Sequence, residues 1–566
     1  MTYYTTNQSA GVYNTERDLS QVQQPIDTST IAAIVGCSDK GPLERTLINS
    51  VSQYIALYGI PRAIYEDDIL DPNTCMGFAA TMFLRESSQL FVSRVAPSAR
   101  YAAAYLRTTA TATATSFTAG TNTQQSFDVN SGPGLDSGVY QDPKDFDVSY
   151  STSVLCMFYA QNPGEWANSD SSDSFTIDIV PTDTTNFWVN IYPKGQSAPA
   201  ESFLVNLDYV VDGFGQQLNI EESINSQSMY LRVKQNKTSN LYNYALDERL
   251  VNTVVTAISL GGGTNGNGAS SATDYQEIVD KWYEDYSNPE DIDVNVLING
   301  GYAVRNVQVA LSNICSQRKD CTAIFDVPPS QQSRSSAIAY RGSAVNITSS
   351  TLGDIDTNRC MIVSPDILVF DQYSGRNLYV PPSGRVAAVF AKTDRVSGSW
   401  FAPAGVSKGQ LKDVIGLRYM YDKTDRDYLW SNQINSFRNV KGAGICLWGD
   451  LTMQRIQSAL SSISVRRLTD LIEKSTNVSS LYMLFDPNTE MLRYNLRSRC
   501  EEILNPIKHS QGLYDFSVIC DGSNNTAETI ARGDVIVDIY IDPVLPAKQI
   551  YLTAVVNKTG STVTVL

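Results

Sequence analysis

The sequence predicts a multidomain protein of mixed α/β and α+β class, and three observations lead to this prediction. The first is length, because 566 residues exceed what one hydrophobic core usually serves. The second is an alternation of strand-like and helix-like segments in residues 21–97 and again in 273–383. The third is the intervening stretch, residues 98–272, where strand-like runs and turn residues dominate.

The chain opens on a segment that predicts an extended arm, residues 1–20. It has few apolar side chains and no helical period, and its arm candidates are Tyr3, Tyr4, Val12 and Tyr13. The first α/β half follows, with predicted elements in this order: a buried strand and turn within 29–42, a helix at 51–59 stopped by Gly59, a helix at 76–86 and a strand at 89–96.

The stretch 98–272 predicts a mostly β insert, either one unit or two units joined near 131–150. Its predicted strands lie at 174–180, 187–192, 201–207 and 228–234. Helical period is nearly absent, and a Gly/Ser/Asn-rich linker at 260–274 ends the stretch. Inserts of this kind occur where a loop meets solvent, so we expect this one to be peripheral.

The second α/β half resumes the alternation, and we expect both halves to form one middle domain. The predicted elements are a helix at 274–286, a strand at 291–299, a helix at 303–317, a strand at 321–328 and a helix at 330–342. Strands that alternate with helices predict a layered sheet with crossover connections.

The C-terminal part, residues 384–556, predicts helices followed by strands. One helix is expected from the apolar positions Met453 to Ile472, and a second is expected to begin at Asp486 and Pro487 and to end at Pro506. Strands are predicted at 516–521, 535–542 and 549–556. Residues 557–566 predict a C-terminal arm whose strand places Val563 and Val565 on one face.

Composition excludes several classes of protein. The net charge of −16 argues against a nucleic-acid partner, because binding phosphates requires clustered Lys and Arg. The charge is uneven, since residues 384–566 carry 21 Lys and Arg against 18 Asp and Glu. No apolar run is long enough to span a membrane, and no signal peptide is expected. Nine scattered cysteines predict reduced, mostly buried thiols.

Several short stretches match catalytic or cofactor motifs but lack the surrounding sequence that those motifs require. The sequence therefore predicts no enzyme, no cofactor and no metal site. Residues 405–409 match GxSxG, but no buried strand leads into them and His509 is the only histidine. The glycines of 261–266 match GxGxxG inside the polar linker, where a dinucleotide site would need a tight strand-to-helix turn. The acidic residues of 422–427 lack the spacing of a calcium loop.

One segment, PPSGRVAAVFAKTDRVSGSWFAPAG (381–405), resembles the signature of contractile tail sheath proteins. Further matches to that family follow in the same order: GICLWGDLT (444–452), SVRRLTDLIEKS (464–475), LFDPN (484–488) and IDPVLPAKQIYLT (541–553). Residues 11–18 are similar to the family's N-terminal strand. The resemblance covers nearly all of 384–566 and much of 1–97 and 273–383.

The resemblance implies a structural subunit with a tail-sheath core. It would form stacked hexameric rings around a tail tube, assemble in the host cytoplasm and contract to drive the tube through the host envelope. The implied partners are further copies of the chain, the tail tube protein, and baseplate and tail terminator proteins. Terminal arms would exchange strands between subunits, and the helix after Asp486 would face the tube through Arg493, Arg497 and Arg499.

Two alternatives remain at this point. The same fold serves related contractile injection devices, such as secretion-system or bacteriocin-like sheaths. A carbohydrate-binding protein or hydrolase is a remote alternative, in which Trp166 and Trp188 of the insert would contact a sugar.

Overall fold

The computed structural model describes residues 30–549, and the following positions within that range are not described: 67–68, 98, 108–153, 183–185, 207–208, 212, 214, 236–254, 266–271, 344–347 and 349. The predicted arms at 1–20 and 557–566 therefore lie outside the described residues. The chain is a mixed helix and strand protein with several sheets. Residues 30–97 are called the N-terminal half, residues 98–272 the insert and residues 273–383 the second half. The two halves together are called the α/β unit, and the helices and strands from residue 463 onward are called the C-terminal unit.

The N-terminal half contains five strands and two helices. In chain order they are β1 (Ala32–Gly36), β2 (Thr46–Ile48), α1 (Val51–Tyr58), β3 (Tyr65–Glu66), β4 (Ile69–Leu70), α2 (Pro72–Leu84) and β5 (Leu90–Arg94). The predicted stop of α1 is confirmed, because Gly59 follows the helix with a φ of 89°. Helix α2 starts four residues before the prediction, where Asp71 caps the amide of Asn73 and Pro72 takes the first helical position.

The described part of the insert forms two antiparallel sheets with an apolar core of its own. Its elements are β6 (Ala103–Arg107), β7 (Val154–Ala160), β8 (Phe175–Pro181), β9 (Asn186–Pro193), β10 (Glu201–Asn206), α3 (Ile220–Gln227), β11 (Leu231–Gln235) and β12 (Val255–Ser259). One sheet has the order β10-β9-β8-β12 and the other β11-β7-β6. Helix α3 was not predicted; the Asn219 side chain caps it, and Ile220 and Ile224 fix it on the insert core.

A buried arginine joins the insert to the N-terminal half. Arg94, at the end of β5, donates hydrogen bonds to the carbonyls of Ser38, Gly41 and Pro163 at 2.9–3.0 Å, and Pro163 belongs to the insert. An ion pair between Lys40 and Asp173 crosses the same junction. These polar contacts therefore attach the insert to the N-terminal half, while the apolar core of the insert stays separate.

The second half and the start of the C-terminal part supply nine strands and six helices of the described chain. They are α4 (Ala272–Tyr286), β13 (Val296–Ile298), α5 (Arg305–Arg318), β14 (Thr322–Asp326), α6 (Arg334–Arg341), β15 (Cys360–Val363), β16 (Ile367–Asp371), β17 (Arg376–Val380), α7 (Ser383–Val396), α8 (Gly405–Lys408), β18 (Val414–Leu417), α9 (Lys423–Ser431), β19 (Ile434–Asn435), β20 (Phe437–Val440) and β21 (Gly444–Leu447).

The centre of the fold is one seven-stranded sheet with the order β19-β15-β14-β13-β1-β5-β2. All neighbours are parallel except β2, which runs antiparallel to β5. Strands from both halves of the predicted middle domain thus share one sheet, and β19 joins it from beyond residue 384. The domain boundaries themselves remain a proposal.

Two apolar layers cover the faces of this sheet, as a parallel sheet requires. Alternate residues of β1 show this, since Ala32 and Ile34 face the layer that contains α1, α2 and α7, whereas Ala33 and Val35 face the layer that contains α4, α5 and α6. The apolar run 386–391 of the signature segment lies in α7, which is buried against α2.

The C-terminal unit consists of α10 (Ile463–Leu481), α11 (Glu490–His509), β22 (Leu513–Ile519), α12 (Ala527–Arg532) and β23 (Asp538–Pro543). The predicted start of α10 is wrong, as are the predicted start and end of α11. Helix α10 begins at Ile463, because residues 453–462 form turns that bond back to the α/β unit, as the Met453 amide does with Cys360.

The other two errors concern α11. This helix starts at Glu490, where the Thr489 hydroxyl caps the amide of Leu492, and not at Asp486. It also continues through Pro506 to His509. A proline inside a helix removes the hydrogen bond to the carbonyl of the residue four positions earlier, and here that residue is Glu502, which is exposed.

Candidate assembly interface

The C-terminal unit is organised around an apolar cluster that is separate from the two layers of the large sheet. Helices α10 and α11 pack on one another and α11 packs on β22, and Leu468, Leu504 and Ile507 belong to the buried cluster of this unit. Burying such side chains is the main source of stability for a unit of this size. The unit therefore has an apolar core of its own.

The signature segment connects this unit to the α/β unit. Trp400, four residues after α7, lies against the C-terminal cluster and donates its indole N–H to the Ser510 carbonyl at 3.1 Å. Gly512 makes this contact possible, because a Cβ there would lie 3.1 Å from the Trp400 ring and 2.6 Å from Ile507. The Trp in the family motif thus has a packing role.

Ion pairs fasten α10 to the amino-terminal edge of the large sheet. Arg467 pairs with Asp394 of α7, and the same carboxylate accepts a hydrogen bond from Thr30, just before β1. Asp470 accepts from Arg359 at 2.8 Å, just before β15. Burial raises the pKa of both carboxyls despite these arginines. The contact between α10 and the large sheet therefore includes buried ion pairs, whose directional geometry helps to fix how α10 is placed.

Strands β22 and β23 form a two-stranded antiparallel sheet, and both are edge strands within the described chain. Their outward positions are exposed, including Tyr514 and Tyr540. A two-stranded hairpin is marginal alone, and here α11 packs on one face of it. Its two open edges offer backbone donors and acceptors to any further strand.

The three arginines predicted to face a tube lie on α11 but differ in exposure. Arg493 is buried and donates to the Asn488 side chain at 2.6 Å. Arg497 pairs with Glu501 at 2.8 Å, and Arg499 pairs with Glu502 at 3.0 Å. Arg497 and Arg499 thus reach solvent, whereas Arg493 holds the turn that precedes the helix.

Sequence reasoning missed an exposed apolar tip at the turn between α10 and α11. Phe485 is 97% exposed. The tip is made of Val478, Leu481, Tyr482, Leu484, Phe485, Met491 and Tyr494. Its base is fixed, because Met483, Leu492 and Leu496 pack with Cys520 and Val537. The signal was present as LYMLF before a turn sequence, but an apolar run does not show which side it exposes.

The rejected motifs have structural roles in the described chain. Residues Gly405–Lys408 form a single helical turn, with Lys408 over the Phe401 ring. Gly261 pairs with Ala103 by backbone hydrogen bonds, and Asp422 caps α9 by accepting from the Asp425 amide. Trp166 packs on Phe175 inside the insert.

Further properties concern metals, membranes and thiols. The described residues contain no group of three His, Cys, Asp or Glu side chains that could hold a metal ion. No helix of the described chain is both long and apolar enough to cross a bilayer. None of the nine cysteines, all of which lie in the described chain, is joined in a disulfide, and all except Cys37 are buried. The arm candidates Tyr3, Tyr4, Val12, Tyr13, Val563 and Val565 lie outside the described residues.

Comparison with known proteins gives a consistent result. Two protein-family models match adjoining stretches: the phage tail sheath protein central domain matches residues 268–453, and the phage tail sheath C-terminal domain matches residues 457–557. Together they cover about half of the chain, and they begin where the insert ends.

The similar proteins carry the same description. The tail sheath protein of Vibrio phage KVP40 is 29% identical over 359 residues, which cover 60% of this chain and 52% of that protein. The tail sheath protein of Enterobacteria phage T4 is 29% identical over 317 residues, which cover 54% of this chain and 47% of that protein. This chain thus matches about half the length of these relatives.

A solved structure extends the similarity of fold. The crystal structure of the sheath tail protein from Listeria innocua superimposes with a TM-score of 0.54 over 91% of this chain and 92% of that one. Its sequence identity is 12%, so the likeness concerns the fold alone.

Proposed function

We propose that this chain, which belongs to the phage tail sheath family, is a structural subunit of a contractile sheath around a tail tube. The observation that carries the proposal is the order of the two family models, which adjoin over residues 268–557 and cover four of the seven strands of the large sheet and the C-terminal unit. As a virion component it would be built in the host cytoplasm and would act without catalysis or cofactor.

In this proposal the subunits form stacked hexameric rings that continue into a helical sleeve. A head-to-tail contact that does not close on itself generates an open helical assembly. Contraction would then be a shift between two lattice arrangements of folded subunits, biased by the difference in their contacts. Baseplate and terminator proteins would cap the two ends of the sleeve.

Strand exchange is the proposed link between neighbours. The hairpin of β22 and β23 supports it, since both of its edges are open in the described chain. Residues 1–20 and 557–566 would supply added strands, with Tyr3, Tyr4, Val12, Tyr13, Val563 and Val565 as contact residues. Backbone ladders of this kind hold two subunits together while the connecting segments bend.

The tube-facing surface is proposed to combine the apolar tip with the exposed Arg497 and the partly exposed Arg499. A contiguous exposed apolar patch marks an interaction site, and the tip stands at one end of the α10–α11 hairpin. Arg493 would support this surface from within by holding Asn488. Exposed cations beside the tip suit an acidic partner surface.

Assembly of the purified chain tests the proposed function. The chain is expressed with and without its tail tube protein and examined by electron microscopy and sedimentation. Rings or sleeves support the proposal, and a monodisperse monomer under both conditions contradicts it. Truncation after Asn557 tests strand exchange, because the monomer should stay folded while sleeves fail to form. Sleeves that still assemble and contract would remove the C-terminal arm from the proposal.

A matched pair of variants tests the tube-facing surface. Tyr482→Ser with Phe485→Ser should weaken co-sedimentation with tubes and leave the melting temperature of the monomer unchanged, because both side chains are exposed. The control is Tyr209→Ser, since Tyr209 is also exposed but lies in the insert. Equal binding by both variants would remove the tip from the proposed surface.

A further inference from the structure

Arg385 is buried to an extent that is unusual for a charged side chain. It lies in the first turn of α7, in the signature segment, and is 2% exposed. The burial follows from a close helix crossing at the preceding residue. A Cβ at Gly384 would lie 2.5 Å from the Ala79 Cα, so α7 and α2 touch through their backbones there. Arg385 is held at the edge of this crossing.

The guanidinium of Arg385 lacks the partners that a buried charge requires. In the described part of the chain it makes no hydrogen bond, its Nε is unpaired, and its ion pair with Asp413 is long, at 3.8 Å. Asp413 is itself about half exposed and lies closer to Arg85, at 3.3 Å. Burial lowers the pKa of Arg385. A buried charge without hydrogen bonds opposes folding unless something else compensates it.

Other buried arginines of the same fold make hydrogen bonds and ion pairs that compensate for the burial of their charge. Arg318 donates to the carbonyls of Tyr286, Asn288 and Ile292 and pairs with Asp320 at 2.8 Å. Arg94 likewise donates to three carbonyls. Both of these guanidinium groups make several direct hydrogen bonds, whereas the Arg385 guanidinium makes none within the described chain.

Arg385 lines a cleft of about 40 Å³, here called the Arg385 cleft. Phe78 and Met82 of α2 form one wall, together with Arg85 just after this helix. The exposed Phe370 of β16 and Tyr373 of the following turn form another, and Asp371 and Asp413 also line the cleft. A buried water needs roughly 10–15 Å³ of such space, so the cleft has room for a group of about three heavy atoms. A carboxylate has this size, and its two oxygens match the guanidinium fork.

We propose that the Arg385 cleft receives an exposed carboxylate side chain from a second copy of this chain. The proposal rests on the proposed function, in which every subunit is surrounded by further copies. Charge complementarity favours a copy as the source, because the chain carries 59 Asp and Glu against 43 Lys and Arg, so each copy has an excess of carboxylates. A cleft on one copy and a carboxylate elsewhere on the next form a head-to-tail contact.

The test compares Arg385→Met with wild type in monomer stability and in sleeve assembly. Methionine keeps length and apolar bulk but removes the charge, so the melting temperature of the monomer should stay the same or rise. The protein concentration needed for sleeves should increase by roughly tenfold, because one buried interface contact is lost. Arg385→Lys keeps the charge without the fork and should fall between the two.

The control variant is Arg318→Met, which removes a fully bonded arginine and should lower the melting temperature of the monomer. A comparable loss of stability in Arg385→Met would make Arg385 a structural residue and overturn the proposal. Equal sleeve assembly by Arg385→Met and wild type would overturn it too, while leaving the proposed function intact. A wild-type chain that never self-associates would overturn both.

A cryo-electron microscopy map of the assembled sleeve identifies the occupant. The expected result is a carboxylate of a neighbouring copy within hydrogen-bond distance of Arg385. A carboxylate from the tube or another protein, closure of Asp413 of the same chain onto Arg385, or a cleft filled by water alone would each overturn the proposal.

Discussion

Asp326 gives the most direct test of the energetics of this fold. It ends β14 and is buried, and it accepts hydrogen bonds from the amides of Ser383 at 2.8 Å and Gly301 at 3.3 Å and from the Asn299 side chain. No Lys or Arg of the described chain pairs with it, and burial raises its pKa to about 6. The perturbation is Asp326→Asn, which removes the titration and preserves the size of the side chain.

The magnitude follows from linkage between protonation and folding. An Asp in the unfolded chain has a pKa of about 3.9, so the native state binds a proton that the unfolded state lacks between about pH 4 and pH 6. The stability that protonation of Asp326 contributes is therefore present at low pH and is lost as pH rises through about 6. For one such group, the free energy of unfolding should rise by about 1.3 kcal/mol between about pH 7 and pH 5.

The assay is urea unfolding of the monomer, followed by circular dichroism at about pH 7 and about pH 5. Asp366, whose pKa burial also raises to about 6, titrates in both proteins, so the informative quantity is the difference between them. Wild type should gain about 1.3 kcal/mol more than Asp326→Asn on acidification. The exposed Asp427→Asn should behave like wild type. If Asp326→Asn and wild type gain equally, the assigned ionisation of Asp326 is refuted.

Three further perturbations have defined outcomes. Leu504→Ala, in the fully buried C-terminal cluster, should lower the free energy of unfolding by about 2–5 kcal/mol, whereas the exposed Leu481→Ala should change it by less than about 0.5 kcal/mol in the same urea titration. Gly301→Ala should lower the melting temperature of the monomer, because its φ is +91° and the new Cβ would lie 2.5 Å from Cys75; normal melting would contradict that contact. Replacement of the insert, residues 98–272, by a short Gly/Ser bridge should leave assembly intact, since the insert has its own apolar core, and an insoluble product would place it in the subunit core.

The sequence was sufficient to predict the large α/β unit because its strands are buried on both faces. Runs such as AAIVG and TAIFD are short, apolar and bounded by turn residues, so β1 and β14 stand out without an alignment. The α/β order on both sides of the insert also predicted that two distant stretches share a sheet. Pairing of β15 with β19 was not foreseen, because a two-residue strand has no detectable period.

The C-terminal helices were predicted, but their starts were not, since a cap depends on backbone geometry. Thr489 and Asp486 are both acceptable caps in sequence, and only the folded turn selects Thr489. The candidate site was predicted less well. Arg385 and Arg493 look like surface residues by composition, and each is buried by a helix crossing or turn that no local pattern encodes.

The bonding of Thr30 determines how the subunit bears tension. Strand β1 begins two residues later and lies inside the large sheet, between the parallel strands β5 and β13. A pull applied along the axis of β1 would load the hydrogen bonds on both of its sides in shear, because both neighbouring strands run parallel to it. The Thr30 contact with Asp394, which also binds Arg467, transfers part of the same force to α7 and α10. Such a force would thus be shared among the large sheet, helix α7 and the C-terminal unit.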